Sequence, residues 1–283
     1  MTGAESNNNS INGEHGMNRI ENEATVEQRK NDLWEKAQKS ELIERLKAGE
    51  SLQDIMDSFL SQVKNVFTKL KRIACSDGRV FPVNGDAKLG IAGEGILLDE
   101  DALTCFINEC IRQGVEGVDS HDDCGAAGAA FKEDAKGEAT ADDLGKTFAK
   151  KLSDRAAIDY GHIALKDMTG EIHNERVLCL DGTGMFNPGA LLEGNKMPGH
   201  FLCSGCGFGL GAEYIKKEVP ILTGIALGHG FEGRFDEKDN KFIIIISAKD
   251  NEQLAEMTEV TEKAVEKYGD RVEVKGFVHN IEA

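Results

Sequence analysis

The first apolar positions along the chain recur at helical spacing. From Ala24 to Lys47 a highly charged stretch carries Leu33, Trp34, Leu42, Ile43 and Leu46 as a sparse stripe, which predicts a helix broken by the "AGE" at 48–50. Ser51 is placed to cap a second helix over "LQDIMDSFLSQVKNVFTKL", 52–70, where apolar residues return at every third or fourth position. Such an arm either packs on its own domain or lies on a partner subunit. Ahead of it, residues 1–22 are rich in Asn, Ser, Gly and Glu and are expected to be a disordered tail. The pattern thus divides the chain into a tail (1–22), a helical arm (23–68) and one large domain (69–283).

Beyond the arm the period changes. Leu70–Cys75 reads as a first strand. "GDAKLGIAGEG", 85–95, reads as a strand running into a glycine-dense loop. A helix is expected over Asp99–Gln113, with acidic residues in its first turn. "VEGVDSH" is a short strand, and "AAGAAFKEDAKG" opens a helix of small residues. Further elements are a helix over Ala139–Tyr160, a strand and turn within 175–189, a buried strand at "KFIIIISA" (241–248), a helix ended by Gly269, and a last strand at "RVEVKGFVHNI". The stretch 219–230 fits a helix or a buried strand. No internal repeat is visible. Strands alternating with helices predict an α/β fold, a mostly parallel central sheet flanked by helices, with the N-terminal helical arm added. In such sheets functional residues gather at the carboxyl ends of strands.

Composition narrows the function. The chain has 283 residues, 40% of them hydrophobic, and a formal net charge of −17. That charge argues against nucleic-acid binding, which needs phosphate-neutralising Lys and Arg. No apolar run reaches the length of a membrane span, and the polar start lacks the apolar stretch of a secretory signal. Seven cysteines without a secretory start predict reduced thiols and a cytoplasmic setting, with metal binding or catalysis as their special use.

The chemistry gathers in two stretches. "IACSDGRV" (73–80) puts Cys75, Asp77 and Arg79 on alternate positions at a strand end, and "VDSHDDCGAAGAAF" (118–131) puts His121 and Cys124 at another. Two thiolates and one imidazole are a zinc set that leaves the fourth tetrahedral position open, the catalytic rather than the structural arrangement. The two thiolates cancel the charge of Zn²⁺, and water bound there ionises nearer neutral pH. A carboxylate beside that water accepts its hydrogen bond. Arg79 holds the Asp77 carboxylate so that it does not itself take the metal.

Cys-x-Asp-x-Arg followed by His-x-x-Cys-Gly resembles the β-class carbonic anhydrases. "IACSDGRV" is close to their "ACSDSRV", "SHDDCGA" to their Gly-His-x-x-Cys-Gly-Ala, and "GDAKLGIAGEG" stands where they carry a Gly-Asp-x-x-x-x-Arg-Asn-Ala-Gly segment. Gly78 in place of the second Ser, together with "HNERVLCLDGTGMFNP", is nearer to the cadmium (ζ) class; Gly90 and Ile91 replace the Arg-Asn pair, and Ser120 replaces the Gly before His. The resemblance covers residues 70–130. It implies a zinc-dependent lyase (Cd²⁺ is the alternative metal) that interconverts CO₂ and bicarbonate. It also implies a homodimer or higher homo-oligomer in which N-terminal helices embrace the partner. By position it assigns Cys75, His121 and Cys124 to the metal and Asp77 and Arg79 to catalysis. The backbone N–H of Gly125 or its neighbour is placed to hold a substrate oxygen. Two alternatives are hydrolysis of CS₂ or COS on the same metal set, and a non-catalytic metal-binding or regulatory protein.

The remaining thiols and imidazoles select nothing. Cys105 and Cys110 read as core thiols. His200, Cys203 and Cys206 have metal-knuckle spacing, but no second Cys-x-x-Cys accompanies them and a glycine-rich turn is expected. His162, His173, His229 and His279 are isolated in sequence, and a proton shuttle has no marker among them.

Overall fold

The computed structural model describes residues 14–279 except 83, 170–171 and 232, with side chains described from residue 25 onward. Residues 1–13 of the expected tail lie outside the described residues. Helix α1 (Glu14–Gln38) begins inside the stretch expected to be disordered. The single helix expected over 24–47 is two: Ser40 caps α2 (Glu41–Lys47), with its hydroxyl bonded back to the Ala37 carbonyl. Ser51 caps α3 (Leu52–Gln62) by accepting from the Asp54 N–H. That helix stops at Gln62, short of the expected 70.

The main domain holds two four-stranded parallel sheets rather than one. The first contains β1 (Arg72–Ala74), β2 (Lys88–Gly90), β3 (Gly117–His121) and β4 (Asp159–Ile163) in the order β2-β1-β3-β4. The second contains β5 (Val177–Asp181), β6 (His200–Cys203), β7 (Phe242–Ala248) and β8 (Val272–Val278) in the order β6-β5-β7-β8. Every pairing is parallel. Each sheet thus starts in its interior, steps to one edge, and crosses back to finish at the other. The sequence shows no repeat, but the topology repeats.

Helices cross between the strands: α4 (Glu100–Gln113), α5 (Gly125–Glu133) and α6 (Ala141–Ala156) in the first half, α7 (Gly211–Gly228) and α8 (Asn251–Val265) in the second. α7 resolves the ambiguous 219–230 as a helix, with Pro220 inside it. α6 ends at Ala156, whose C-cap Ala157 takes a left-handed φ of 53°, and the rest of the stretch expected as helix becomes β4. The two sheets meet where β2 faces β6. The Leu202 N–H donates to the Ser76 carbonyl (3.0 Å) and the Ser204 N–H to the Gly90 carbonyl (2.7 Å). A Cβ on Gly90 would lie 2.1 Å from the Leu202 carbonyl oxygen, so only glycine permits this approach.

The arm packs on its own chain. Leu42, Ile43, Ile55, Met56 and Phe59 form one core with Val177, Cys179, Ile243, Ile245 and Phe277 of the second sheet. Trp34 of α1 meets Phe231 and Phe235 edge to face. Among the described residues, no helix is long and apolar enough to cross a membrane.

Candidate metal centre

Cys75 leaves the carboxyl end of β1, His121 ends β3, and Cys124 is the N-cap of α5. Their ligand atoms all lie within 4.8 Å of one another, and all three residues are buried. The elements explain the convergence. β1 and β3 are adjacent and in parallel register, Ala74 beside Asp119, so both end on the same side of the sheet. The short turn after β3 then brings Cys124 round to face them.

The imidazole is prepared for a cation. Its Nδ1 lies 2.7 Å from the Asp122 carbonyl oxygen. A carbonyl can only accept, so Nδ1 carries a proton and Nε2 is the nitrogen left for a cation. Burial alone would lower the His121 pKa, but the Cys75 charge raises it to about 9, so a metal at Nε2 would take the place of a proton there. Nε2 is buried without a hydrogen-bond partner. Two converging thiols and an orphaned imidazole nitrogen fit a soft or borderline divalent metal with three protein donors. The sulfurs are already polarised. The Cys124 hydrogen bond, helped by His121, holds the Cys75 thiol well below the usual thiol range against the effect of burial, while Cys124 is pushed well above it. The two thiols therefore titrate as a coupled pair. The Gly93 N–H points at the Cys75 sulfur from 3.4 Å. Gly93 has φ 52°, and a Cβ there would stand 2.8 Å from the Ala126 side chain.

Asp77 is gripped by Arg79. Nε of Arg79 lies 3.1 and 3.2 Å from the two carboxylate oxygens, one terminal nitrogen donates to Oδ2 at 2.7 Å, and the Arg79 backbone N–H donates to Oδ1 at 2.8 Å. Burial alone would raise the pKa of Asp77; the Arg79 hydrogen bond and the charge of His173 hold it well below the usual carboxylate range. The loop is pinned from beneath by buried Lys88, which donates to the Asp77 carbonyl (2.8 Å) and the Val80 carbonyl (3.0 Å).

The second half reaches into this site. Ser76 donates its hydroxyl hydrogen bond to Glu218 of α7, and the Ala92 N–H donates to the same carboxylate oxygen at 2.8 Å. Glu218 so ties together the loop bearing Cys75 and the loop bearing Gly93. Just before β5, Glu175 accepts from the Gly78 N–H at 3.0 Å and faces His173 at 3.2 Å. His173 Nδ1 is 4.0 Å from the Asp77 carboxylate. Asp77, His173 and Glu175 form a second convergent group, of which His173 alone is half-buried. The Arg79 guanidinium already neutralises Asp77 there, so the group suits proton exchange better than a second cation.

Glu94 was not legible in the sequence. It lies in the turn after β2 with φ 57°, fully buried, its Oε1 without a partner. Burial and the Cys75 charge push its carboxyl well above the usual range. Its only sequence signal was an acidic residue between two glycines. The surroundings of the donors are apolar: Val80, Ile96, Ala127, Leu144, Ile163 and Met168 form one cluster with Cys75 and Cys124. Gly125 opens α5 on the exposed side, with nothing within 4 Å of its Cβ position.

The other thiols are dispersed. Cys110 is a core thiol as expected, but Cys105 is exposed, because it lies on the outer face of α4. His200, Cys203 and Cys206 do not converge into a ligand group among the described residues. His200 Nδ1 faces the Pro198 carbonyl instead, and Cys206 the carbonyl of Gly211. No family model, curated protein or solved structure matches the chain.

Proposed function

We propose that the protein is a carbonic anhydrase, a metal-dependent lyase interconverting CO₂ and bicarbonate, with Zn²⁺ held by Cys75, His121 and Cys124. The observation that supports this reading is the buried three-donor set with its orphaned Nε2, beside an Asp77 carboxylate whose position Arg79 fixes. The metal supplies a Lewis-acid centre that makes water nucleophilic near neutral pH. Asp77 acts as a hydrogen-bond acceptor that aims the attacking water. Arg79 keeps that carboxylate ionised and off the metal. Val80, Ile96 and Met168 give the donors apolar surroundings suited to a small unpolar substrate. The N–H of Gly125 or its neighbour, at the start of α5, is the donor assigned here to the oxygen that gains charge.

Protons leave through the second half. His173 takes the proton released near Asp77 and hands it to solvent, with Glu175 holding its ring. The three donors, Asp77, Arg79, His173, Glu175 and Glu218 are drawn from both halves of the chain.

Stopped-flow CO₂ hydration with metal content measured on the same samples tests this. The expected result is fast hydration at about one Zn²⁺ per chain. Full zinc loading with no hydration of CO₂ above buffer would overturn the assignment. His173→Ala should lower kcat but not kcat/KM, and added imidazole should restore kcat.

A further inference from the structure

The geometry points to a second ligand site, distant in kind from the metal centre: a basic groove at the amino ends of β5, β7 and β8 that binds a small phosphate-bearing anion. The groove has a volume of about 560 Å³ and is lined by Lys47 of α2, by Arg176, Lys238 and Lys241 at the strand entries, and by Lys275 of β8. Two carboxylates, Asp239 and Glu273, line it as well. A chain of net charge −17 therefore gathers five basic side chains against two acidic ones in one concave place.

Arg176 is the reason to expect a ligand rather than solvated lysines. It is 1% exposed, and its guanidinium lies 5.3 Å from the ring centres of both Trp34 and Phe235. It donates one hydrogen bond, to the Lys241 carbonyl, and its Nε has no partner. It forms no ion pair among the described residues. The carboxylates that influence it are occupied elsewhere. Asp236 accepts from the N–H groups of Lys238, Asp239 and Asn240, and Glu273 pairs with Lys275 at 2.9 Å. A buried guanidinium without a counter-charge is costly, and five donors in a planar fork with one acceptor are far from satisfied. An oxyanion in the groove supplies what is missing. Lys238 and Lys241 have no ion-pair partner among the described residues, and Lys47 is bonded only to the neutral Gln38 and Asn240 side chains.

The lining also sets the ligand class. Its apolar part is aliphatic, Ile43, Leu46 and Ile243, with no ring on which a base could stack. The volume exceeds what one oxyanion fills. The acidic remainder of the molecule excludes a long polyanion lying across the surface. A small molecule bearing one or more phosphates, bound through those groups, fits all three.

Isothermal titration of the full-length protein with inorganic phosphate, ADP and adenosine, against chloride at matched ionic strength, tests the site. ADP should bind, phosphate should bind more weakly, and adenosine and chloride should not bind. The Lys238→Ala/Lys241→Ala double variant removes only outer side chains and should lose at least tenfold in ADP affinity. Thermal unfolding adds a second readout, since a ligand bound to the native state alone raises Tm. ADP should raise Tm in the wild type and not in Arg176→Met, which keeps much of the aliphatic body and loses the charge. ADP affinity unchanged in the double variant, or no binding of either phosphate compound to the wild type at millimolar concentration, would overturn the proposal.

Discussion

The two halves carry the same short motif at the same place in the same topology, and put it to opposite uses. Cys75-Ser-Asp77-Gly follows β1, and Cys179-Leu-Asp181-Gly ends β5, each the first strand of a sheet with equivalent strand order. In both, the N–H two residues after the aspartate donates to its Oδ1 at 2.8 Å. There the likeness ends. Residue 79 is an arginine whose side chain grips Asp77, whereas residue 183 is a threonine. Asp181 spends its oxygens on the N–H groups of Thr183, Gly184 and Phe186 and on the hydroxyls of Thr183 and Ser247. β3 ends in His121, and Cys124 caps the helix that follows. After β7 the cap is Asp250, and 247–250 hold neither imidazole nor thiol. Cys179 is consequently a core thiol, packed against Met197. A strand-end motif thus becomes a site only when the neighbouring strand end supplies the rest of the donor set. The second half keeps a different task. Through Glu218, Glu175 and His173 it braces the loops of the first.

The largest effect should separate the two cysteines. Cys75→Ala or His121→Ala should abolish zinc binding and CO₂ hydration together. Cys179→Ala should leave zinc content unchanged and cost about 1 kcal/mol of stability through a small cavity. Metal analysis and denaturant unfolding on the three variants check this, and zinc loss in Cys179→Ala would erase the distinction between the halves.

What could be read from the sequence follows from where the information sits. Cys75, Asp77, Arg79, His121 and Cys124 lie in two local motifs, each on a recognisable strand end, and the parallel register brings them together. Both flanking helices, α4 and α8, announce themselves by caps, Asp99 and Asp250. By contrast His173, Glu175 and Glu218 act from the other half of the chain, across the junction of β2 with β6, and no local spacing records that contact. β4 was hidden because the residue that stops α6, Ala157, is an alanine in a left-handed conformation where a glycine is the usual signal. The repeated topology was hidden because, apart from the short Cys-x-Asp-Gly motif, the strand order repeats while the residues differ.

The paired aspartates come next. Asp77→Asn should keep zinc but lose on the order of 10²-fold in CO₂ hydration, since an amide no longer offers the ionised acceptor that aims the water. Asp181→Asn should leave the rate alone. It should instead cost about 1–3 kcal/mol, because an amide NH₂ would face donors on one side of a fully occupied carboxylate. Stopped-flow rates and chemical denaturation of both variants decide the matter; equal rates for Asp77→Asn and wild type would reduce the Asp77–Arg79 pair to a structural ion pair.

A smaller effect sharpens the bracing role of the second half. Glu218→Ala removes the shared acceptor of Ser76 and the Ala92 N–H, and should weaken zinc affinity by roughly 10–100-fold although Glu218 is no ligand. Glu218→Gln keeps one carbonyl oxygen for both donors and should recover most of that loss. Competition with a chelator measures it, and unchanged affinity in the alanine variant would leave the first half self-sufficient.

The effect smallest in the wild type is a pH slope in which two buried groups of the second half oppose each other. Burial, with the charge of Lys88, lowers the pKa of His200 to about 4, while burial raises that of Asp181 to about 6. For His200 the unfolded chain binds the proton first, at its ordinary value near 6.5. Its contribution is therefore present above that value and is lost as pH falls towards 4, by up to about 3 kcal/mol. For Asp181 the folded chain binds the proton first, so the sign reverses: stability is gained as pH falls through about 6 towards the ordinary aspartate value, by a similar amount. In the wild type the two largely cancel. His200→Asn keeps a donor for the Pro198 carbonyl and removes the titration, so its stability relative to wild type should rise by about 2–3 kcal/mol between pH 7 and pH 4.5. Asp181→Asn should move the other way, falling relative to wild type over the same range. The candidate metal donors titrate in all three proteins, so the differences isolate the two groups. Urea unfolding at half-unit steps of pH gives the curves, and parallel curves for His200→Asn and wild type would show that His200 is not held neutral by its burial between the sheets.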